Sequence, residues 1–199
     1  MKLLLKGEAE DGISGFTLIE MLITTGLTLM VIVVAGSVLI SGLRAQETSR
    51  SVTDAANTAQ LIVRSIEAGV KNASAITVTS GATPGSQLLM TRTLSMDPNS
   101  IAPSCQAWYY TPDGGGTVYS TKSTPAAMIL IPMGGVQGAW TLLGTGISPA
   151  DSATGKVFNA PSGDRVELNF DVAAGLHPYV LIKTMNYRTQ TTTVSAPCF

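Results

Sequence analysis

An apolar run near the amino terminus, from Met21 to Leu43, contains no charged residue. With the five residues before it, the stretch from Phe16 to Leu43 is 28 residues long. As a helix it measures about 42 Å, whereas the hydrocarbon core of a bilayer is about 30 Å thick. The run therefore predicts a membrane-spanning helix over residues 16–43.

Glu20 is the exception within this helix, because a carboxylate near the middle of a bilayer costs about 2.5 to 3.5 kcal/mol. A carboxylate retained at such a position is expected to have a partner, which favours a functional role. The alternative is a simple signal anchor, in which Glu20 lies shallow enough to reach the lipid headgroups. The apolar run alone leaves both interpretations open.

The segment that opens this helix resembles the amino terminus of type IV pilins and of the pseudopilins of type II secretion. Gly15 is followed by Phe-Thr-Leu-Ile-Glu and a long apolar run, and the glutamate is the fifth residue after the glycine. In that family a membrane-embedded prepilin peptidase cuts after the glycine and methylates the new terminal residue, here Phe16. The resemblance implies a leader at residues 1–15 and an assembly role for Glu20.

The resemblance also implies an orientation and a set of partners. Residues 1–15 contain two lysines and three acids, so ten basic and ten acidic residues remain after cleavage. Prepilin leaders stay in the cytoplasm, which places the rest of the chain outside the cytoplasmic membrane and later in a filament or at the cell surface. The implied partners are the prepilin peptidase, other pilin or pseudopilin subunits, an inner-membrane assembly platform and membrane lipid. Many major pilins carry a proline within this helix; residues 16–43 have none, which favours a minor subunit.

Beyond Leu43 the helical pattern continues to Asn72, because apolar residues recur at spacings of three and four. A single helix from Thr17 to Lys71 is predicted, with its second half packed on a globular head, as in the pilin ladle. The alternative is two helices with a flexible break near Ser41 and Gly42.

Residues 73–199 are rich in Thr, Ser, Gly and Pro with short β-prone runs, which predicts an antiparallel sheet and an α+β chain overall. The loop from Asp113 to Gly116 predicts a hairpin. A turn at residues 175–178 leads into a central strand. The predicted strands are 77–79, 87–93, 107–110, 117–120, 128–131, 165–172, 179–187 and, as a possible edge, 189–194.

The two cysteines, Cys105 and Cys198, have 92 residues between them. If the head lies outside the cytoplasm, an oxidising location favours a disulfide, and many pilins tie down their carboxyl-terminal segment in this way. Two free thiols remain the alternative. A bridge predicts Cα atoms within about 7 Å of each other.

Little in the composition suggests catalysis or ligand binding. The sole histidine, His177, precedes a proline, and we expect it to lie in a surface loop. No basic stripe indicates a nucleic acid, and no metal-ligand spacing or cofactor motif is present. Asp164 or Asp171 could supply oxygens to calcium, but turn or solvated-strand roles are favoured. The aromatic residues 108–110 are expected to lie in the hydrophobic core; the alternative is that they form an adhesive surface.

Two functional hypotheses follow. The first is a non-enzymatic, prepilin-like structural subunit of a type IV pilus or a secretion pseudopilus. The second is a membrane-anchored extracytoplasmic binding module in which the Gly15 to Glu20 match is a coincidence. Cleavage of the leader discriminates between them.

Overall fold

A computed structural model describes residues 17–94, 102–132, 135–136, 138–175, 177–191 and 193–199. Its first element is helix α1, Leu18–Lys71, which is 54 residues long and continues through Ser41 and Gly42. This confirms the single-helix prediction and excludes a break at that position. By its contacts the chain divides into two compact units between Gln46 and Glu47, and α1 contributes to both.

The described residues of the second unit form nine strands in two antiparallel sheets, which confirms the α+β prediction, although one sheet was expected. The first sheet has the order β1-β2-β3-β4-β5. In the second sheet, β8 pairs with β9 and also with the short strands β6 and β7. The strands are β1 Ala73–Ser80, β2 Gln87–Leu94, β3 Pro103–Thr111, β4 Thr117–Ser123, β5 Thr141–Thr145, β6 Ile147–Pro149, β7 Phe158–Asn159, β8 Arg165–Ala174 and β9 His177–Tyr187.

Six of the predicted strands lie within observed ones, and the loop at Asp113 forms the predicted connection between β3 and β4 through a short 3-10 turn. Strands β5, β6 and β7 were not predicted. They have two to five residues each, too few to establish an alternating pattern in the sequence.

Two predicted strands are wrong. Residues 128–131 form no strand; Ile129 and Ile131 pack on one face of the first sheet, while Met128 and Leu130 stay exposed. The described part of 189–194 is also not a strand. Instead, the N–H and the hydroxyl of Thr189 donate to the carbonyl oxygen of Lys71, 3.1 and 2.7 Å away, at the end of α1.

Strand β9 also differs from its prediction. It begins at His177, so the turn before it is shorter than expected and His177 belongs to a strand rather than a loop. Among the described strands it pairs only with β8, and Leu181 is 61% exposed. The apolar run predicted a central strand, and β9 is an edge strand instead. An apolar run therefore did not indicate burial on both faces here.

The main core lies between the second half of α1 and both sheets. Ala55, Ala59, Ile62, Ile66 and Val70 form one buried helix face, which confirms the predicted amphipathic pattern. A smaller cluster covers the opposite face of the first sheet. The large side chains that complete the main core are Trp108, Phe158, Leu168 and Phe170.

Trp108 sets the spacing between α1 and strand β3. Its ring is fully buried, and its Nε1–H donates to Ser65 Oγ at 2.9 Å. Gly69 lies against the same ring, since a Cβ added at this glycine would stand 2.2 Å from Trp108 Cη2. Only a glycine therefore fits at this position of the helix.

We expect Gly69→Ala to destabilise the folded chain by about 1 to 2 kcal/mol. Overpacking against a fixed ring costs about 1 to 3 kcal/mol, and alanine recovers part of that through helix propensity. Urea unfolding of the detergent-solubilised chain, followed by tryptophan fluorescence, measures the change. Gly163→Ala is the control, because a Cβ there meets nothing nearer than 3.9 Å. A stability equal to wild type for both variants would contradict this packing.

Candidate functional site

The predicted processing residues, Gly15 and Phe16, lie outside the described residues. The first described residue, Thr17, caps the start of the helix: the N–H groups of Glu20 and Met21 donate to its carbonyl oxygen at 3.1 and 3.2 Å. Its hydroxyl accepts a longer bond, 3.4 Å, from the same Glu20 N–H. Helix α1 therefore begins at Leu18, two residues after Phe16.

Glu20 lies in the first turn of α1 with its side chain exposed. No described residue forms an ion pair or a hydrogen bond with its carboxylate. Residues 18–43 contain no Lys, Arg or His, so this segment offers the carboxylate no neighbouring positive charge. Any partner for this carboxylate must come from outside the described residues.

The apolar half of α1 is uncovered. Its large apolar side chains between Leu18 and Leu43 are 53 to 80% exposed. Among the described residues, α1 is the helix that is long and apolar enough to cross a membrane. Exposed apolar area on this scale requires lipid or other protein.

The Thr and Ser hydroxyls in this half of α1 bond to their own helix. Each hydroxyl donates to a carbonyl oxygen three or four residues earlier, which leaves no unsatisfied donor in an apolar medium. The bonds are Thr24 to Glu20 (2.8 Å), Thr25 to Met21 (2.8 Å), Thr28 to Thr24 (2.7 Å), Ser37 to Val34 (2.8 Å) and Ser41 to Ser37 (2.9 Å).

A disulfide joins Cys105 in β3 to Cys198, as predicted, with a Cα separation of 5.4 Å. Both residues are buried. Polar bonds reinforce the attachment of this end: Ser74 Oγ donates to Val194 O at 2.7 Å, and Arg92 Nε donates to Ala196 O at 2.9 Å. The carboxyl-terminal segment is therefore fixed to strands β1, β2 and β3.

The aromatic residues 108–110 belong to the core. Trp108, Tyr109 and Tyr110 are 0, 3 and 2% exposed, so the adhesive-surface alternative is wrong. Burial raises the pKa of the Tyr110 hydroxyl above its ordinary value. The three residues therefore contribute to the core of the head.

The two aspartates considered for calcium have other surroundings. Asp164 lies in the turn before β8, where the Ser162 hydroxyl donates to its carboxylate and holds its pKa below the ordinary value. Asp171 lies within β8, opposite Leu181. No group of three His, Cys, Asp or Glu side chains arranged to hold a metal occurs among the described residues.

Sequence reasoning missed a polar groove on the outer face of the second sheet. Residues 150–157, between β6 and β7, form one side of the groove, whose volume is about 460 Å³. The floor is Glu167 and Asn169 of β8, and the far wall is Lys183 and Met185 of β9. The sequence carried no signal for it, because the loop and the strands are far apart in the chain.

The loop that forms the near wall is braced by its own aspartate. Asp151 Oδ1 accepts the Ala153 N–H at 2.9 Å, and Oδ2 accepts the Thr154 hydroxyl at 3.0 Å. These bonds, in that order, hold the pKa of Asp151 below its ordinary value, and Lys183 adds a smaller attraction. The groove is therefore preformed.

The fold and these sites define a chain with one apolar helix long enough to cross a membrane and an α+β head closed by a disulfide. Comparison with protein-family models, with curated proteins and with solved structures found no match to this chain. The residues of the chain alone therefore have to support a functional assignment.

Proposed function

We propose that this chain is a prepilin-like structural subunit, minor rather than major, of a type IV pilus or a type II secretion pseudopilus. The observation that carries the proposal is the uncovered apolar half of α1, which contains one exposed carboxylate, Glu20. Such a surface suits a helix that first resides in lipid and later packs against other helices of its kind. The role is structural rather than enzymatic.

Glu20 is proposed to act in assembly. Removal of the leader would create a new amine at Phe16, about 6 Å along the helix axis from residue 20. Within one chain this amine belongs to the first turn and cannot easily fold back onto the carboxylate. The amine of a neighbouring, axially staggered subunit can reach it, and in an apolar medium such a pair is much stronger than in water.

The head is proposed to lie outside the cytoplasmic membrane. The Cys105–Cys198 disulfide supports this location, because disulfides persist in oxidising compartments and are rare in the cytosol. A head tied at its carboxyl-terminal end also resists fraying once exposed. The proposed partners are the prepilin peptidase, other pilin or pseudopilin subunits, the assembly platform and lipid.

We expect the bond between Gly15 and Phe16 to be cut and the new amine to be methylated. Intact-mass measurement of the protein purified from membranes of a peptidase-containing host tests this directly. The expected product begins at Phe16 and carries one extra methyl group. Gly15→Leu is the matched variant and should remain uncleaved, since a bulky residue replaces the small one before the cut. A mature wild-type chain that still begins at Met1 would refute the proposal.

The alternative is a membrane-anchored extracytoplasmic binding module. The preformed polar groove on the second sheet favours it, because a purely structural head has no need of such a groove. The two functions differ in processing: an anchored module keeps its leader or loses it without methylation, and it does not co-purify with sheared filaments.

A further inference from the structure

We infer that the polar groove formed by residues 150–157 and strands β8 and β9 binds a carboxylated sugar. The inference concerns the head alone and does not depend on filament assembly. It rests on which polar groups of the groove already have partners and which do not.

The two carboxylates of the groove already have partners within the chain. The carboxylate of Asp151 receives the two bonds that brace its own loop. Glu167 Oε2 accepts the Asn159 side-chain amide at 2.9 Å, and Oε1 lies 3.7 Å from Arg165 Nε. Because both carboxylates are already engaged within the chain, they are weaker partners for a cationic ligand than free carboxylates would be.

Two lysines and one amide of the groove have no hydrogen bond or close ion pair with a described residue, and Lys183 has only a weak attraction to Asp151. Lys156 and Lys183 are exposed, and neither forms an ion pair or a hydrogen bond with a described residue. The side-chain amide of Asn169, half-buried on the floor, also has no hydrogen-bond partner among them. Two ammonium groups and one amide therefore remain to bind a ligand that carries negative charge and additional polar oxygens.

The surroundings favour a sugar acid over a dense polyanion. Nucleic acid requires a stripe of basic residues, whereas this groove places Asp151 and Glu167 beside its two lysines. A sugar acid has a carboxylate that either lysine can bind and ring hydroxyls that the Asn169 amide can bind. Met185, 43% exposed, supplies an apolar surface for the C–H face of a ring. A groove of about 460 Å³ lies in the range of small-molecule sites.

The test is calorimetric titration of the full chain in detergent with a disaccharide of two galacturonic acid units. The matched probe is the neutral disaccharide of two galactose units, which we expect to bind at least about tenfold more weakly. Lys156→Gln and Lys183→Gln should each weaken binding of the acid about fivefold to tenfold, as for loss of one charge-assisted bond at an exposed site. Asn169→Ala should weaken both disaccharides. Lys122→Gln, an exposed lysine in β4 outside the groove, is the control.

Several results would overturn the inference. If the acid did not bind at concentrations up to about 10 mM, the proposed binding site would be excluded. Equal binding of the two disaccharides would exclude a role for the carboxylate. Competition by inorganic phosphate at the same concentration as the sugar acid would indicate a simple anion site. Binding that neither lysine variant changes would place the ligand elsewhere. Unchanged urea unfolding curves confirm that the variants are folded.

Discussion

Glu20→Ala is expected to reduce incorporation of the subunit into filaments at least about tenfold while leaving membrane insertion and leader cleavage intact. The alanine removes a carboxylate that is costly in the bilayer, so insertion is unchanged or easier. It also removes the proposed partner for the Phe16 amine of the neighbouring subunit. That amine would then be unpaired in an apolar medium, where an isolated charge is expensive.

Incorporation is measured by co-purification with sheared filaments or with partner pilins, and cleavage by intact mass. Glu20→Asp should restore incorporation only in part, because its shorter side chain misplaces the charge. Glu47→Ala is the control, since it removes an exposed carboxylate from the same helix beyond the apolar stretch. Normal incorporation of Glu20→Ala would exclude the contact and return Glu20 to a residue at headgroup level.

Replacing both cysteines, Cys105→Ala with Cys198→Ala, is expected to lower the free energy of unfolding by about 3 to 5 kcal/mol. The bridge closes a long loop, with a sequence separation of 93, and loops of this length gain most in the chain-entropy model. Its loss also frees the carboxyl-terminal segment, whose bonds to Ser74 and Arg92 then have to hold that end without the covalent link.

Urea unfolding of the full chain in detergent, with and without reductant, measures this effect. Wild type should lose stability on reduction, while the double alanine variant should not respond to reductant at all. Limited proteolysis should cut the variant first near its carboxyl terminus, because that segment is no longer pinned. A difference below about 1 kcal/mol would show that tertiary packing alone holds the segment.

The sequence was informative where one local rule dominates. The charge-free run to Leu43 determined the exposed apolar half of α1, and the three-and-four spacing from Ala55 to Val70 determined its buried face, because both are helix properties of adjacent residues. Strand β8, which contains the predicted strand 165–172, alternates buried residues with half-buried ones and, at Ala173, an exposed one. The disulfide followed from cysteine count and from the compartment that the amino-terminal resemblance implied.

The tertiary structure decided everything that depends on which segments meet. Apolar runs at residues 128–131 and 179–187 both predicted strands, yet the first packs unpaired against a sheet and the second lies in an edge strand. The polar groove joins a loop at Asp151 to strands that follow 14 or more residues later, so no local pattern could reveal it. Secondary-structure propensity and hydrophobic periodicity depend on residues that are close in the sequence. Strand pairing, strand register and the absence of a partner for a donor depend on residues that are far apart in the sequence.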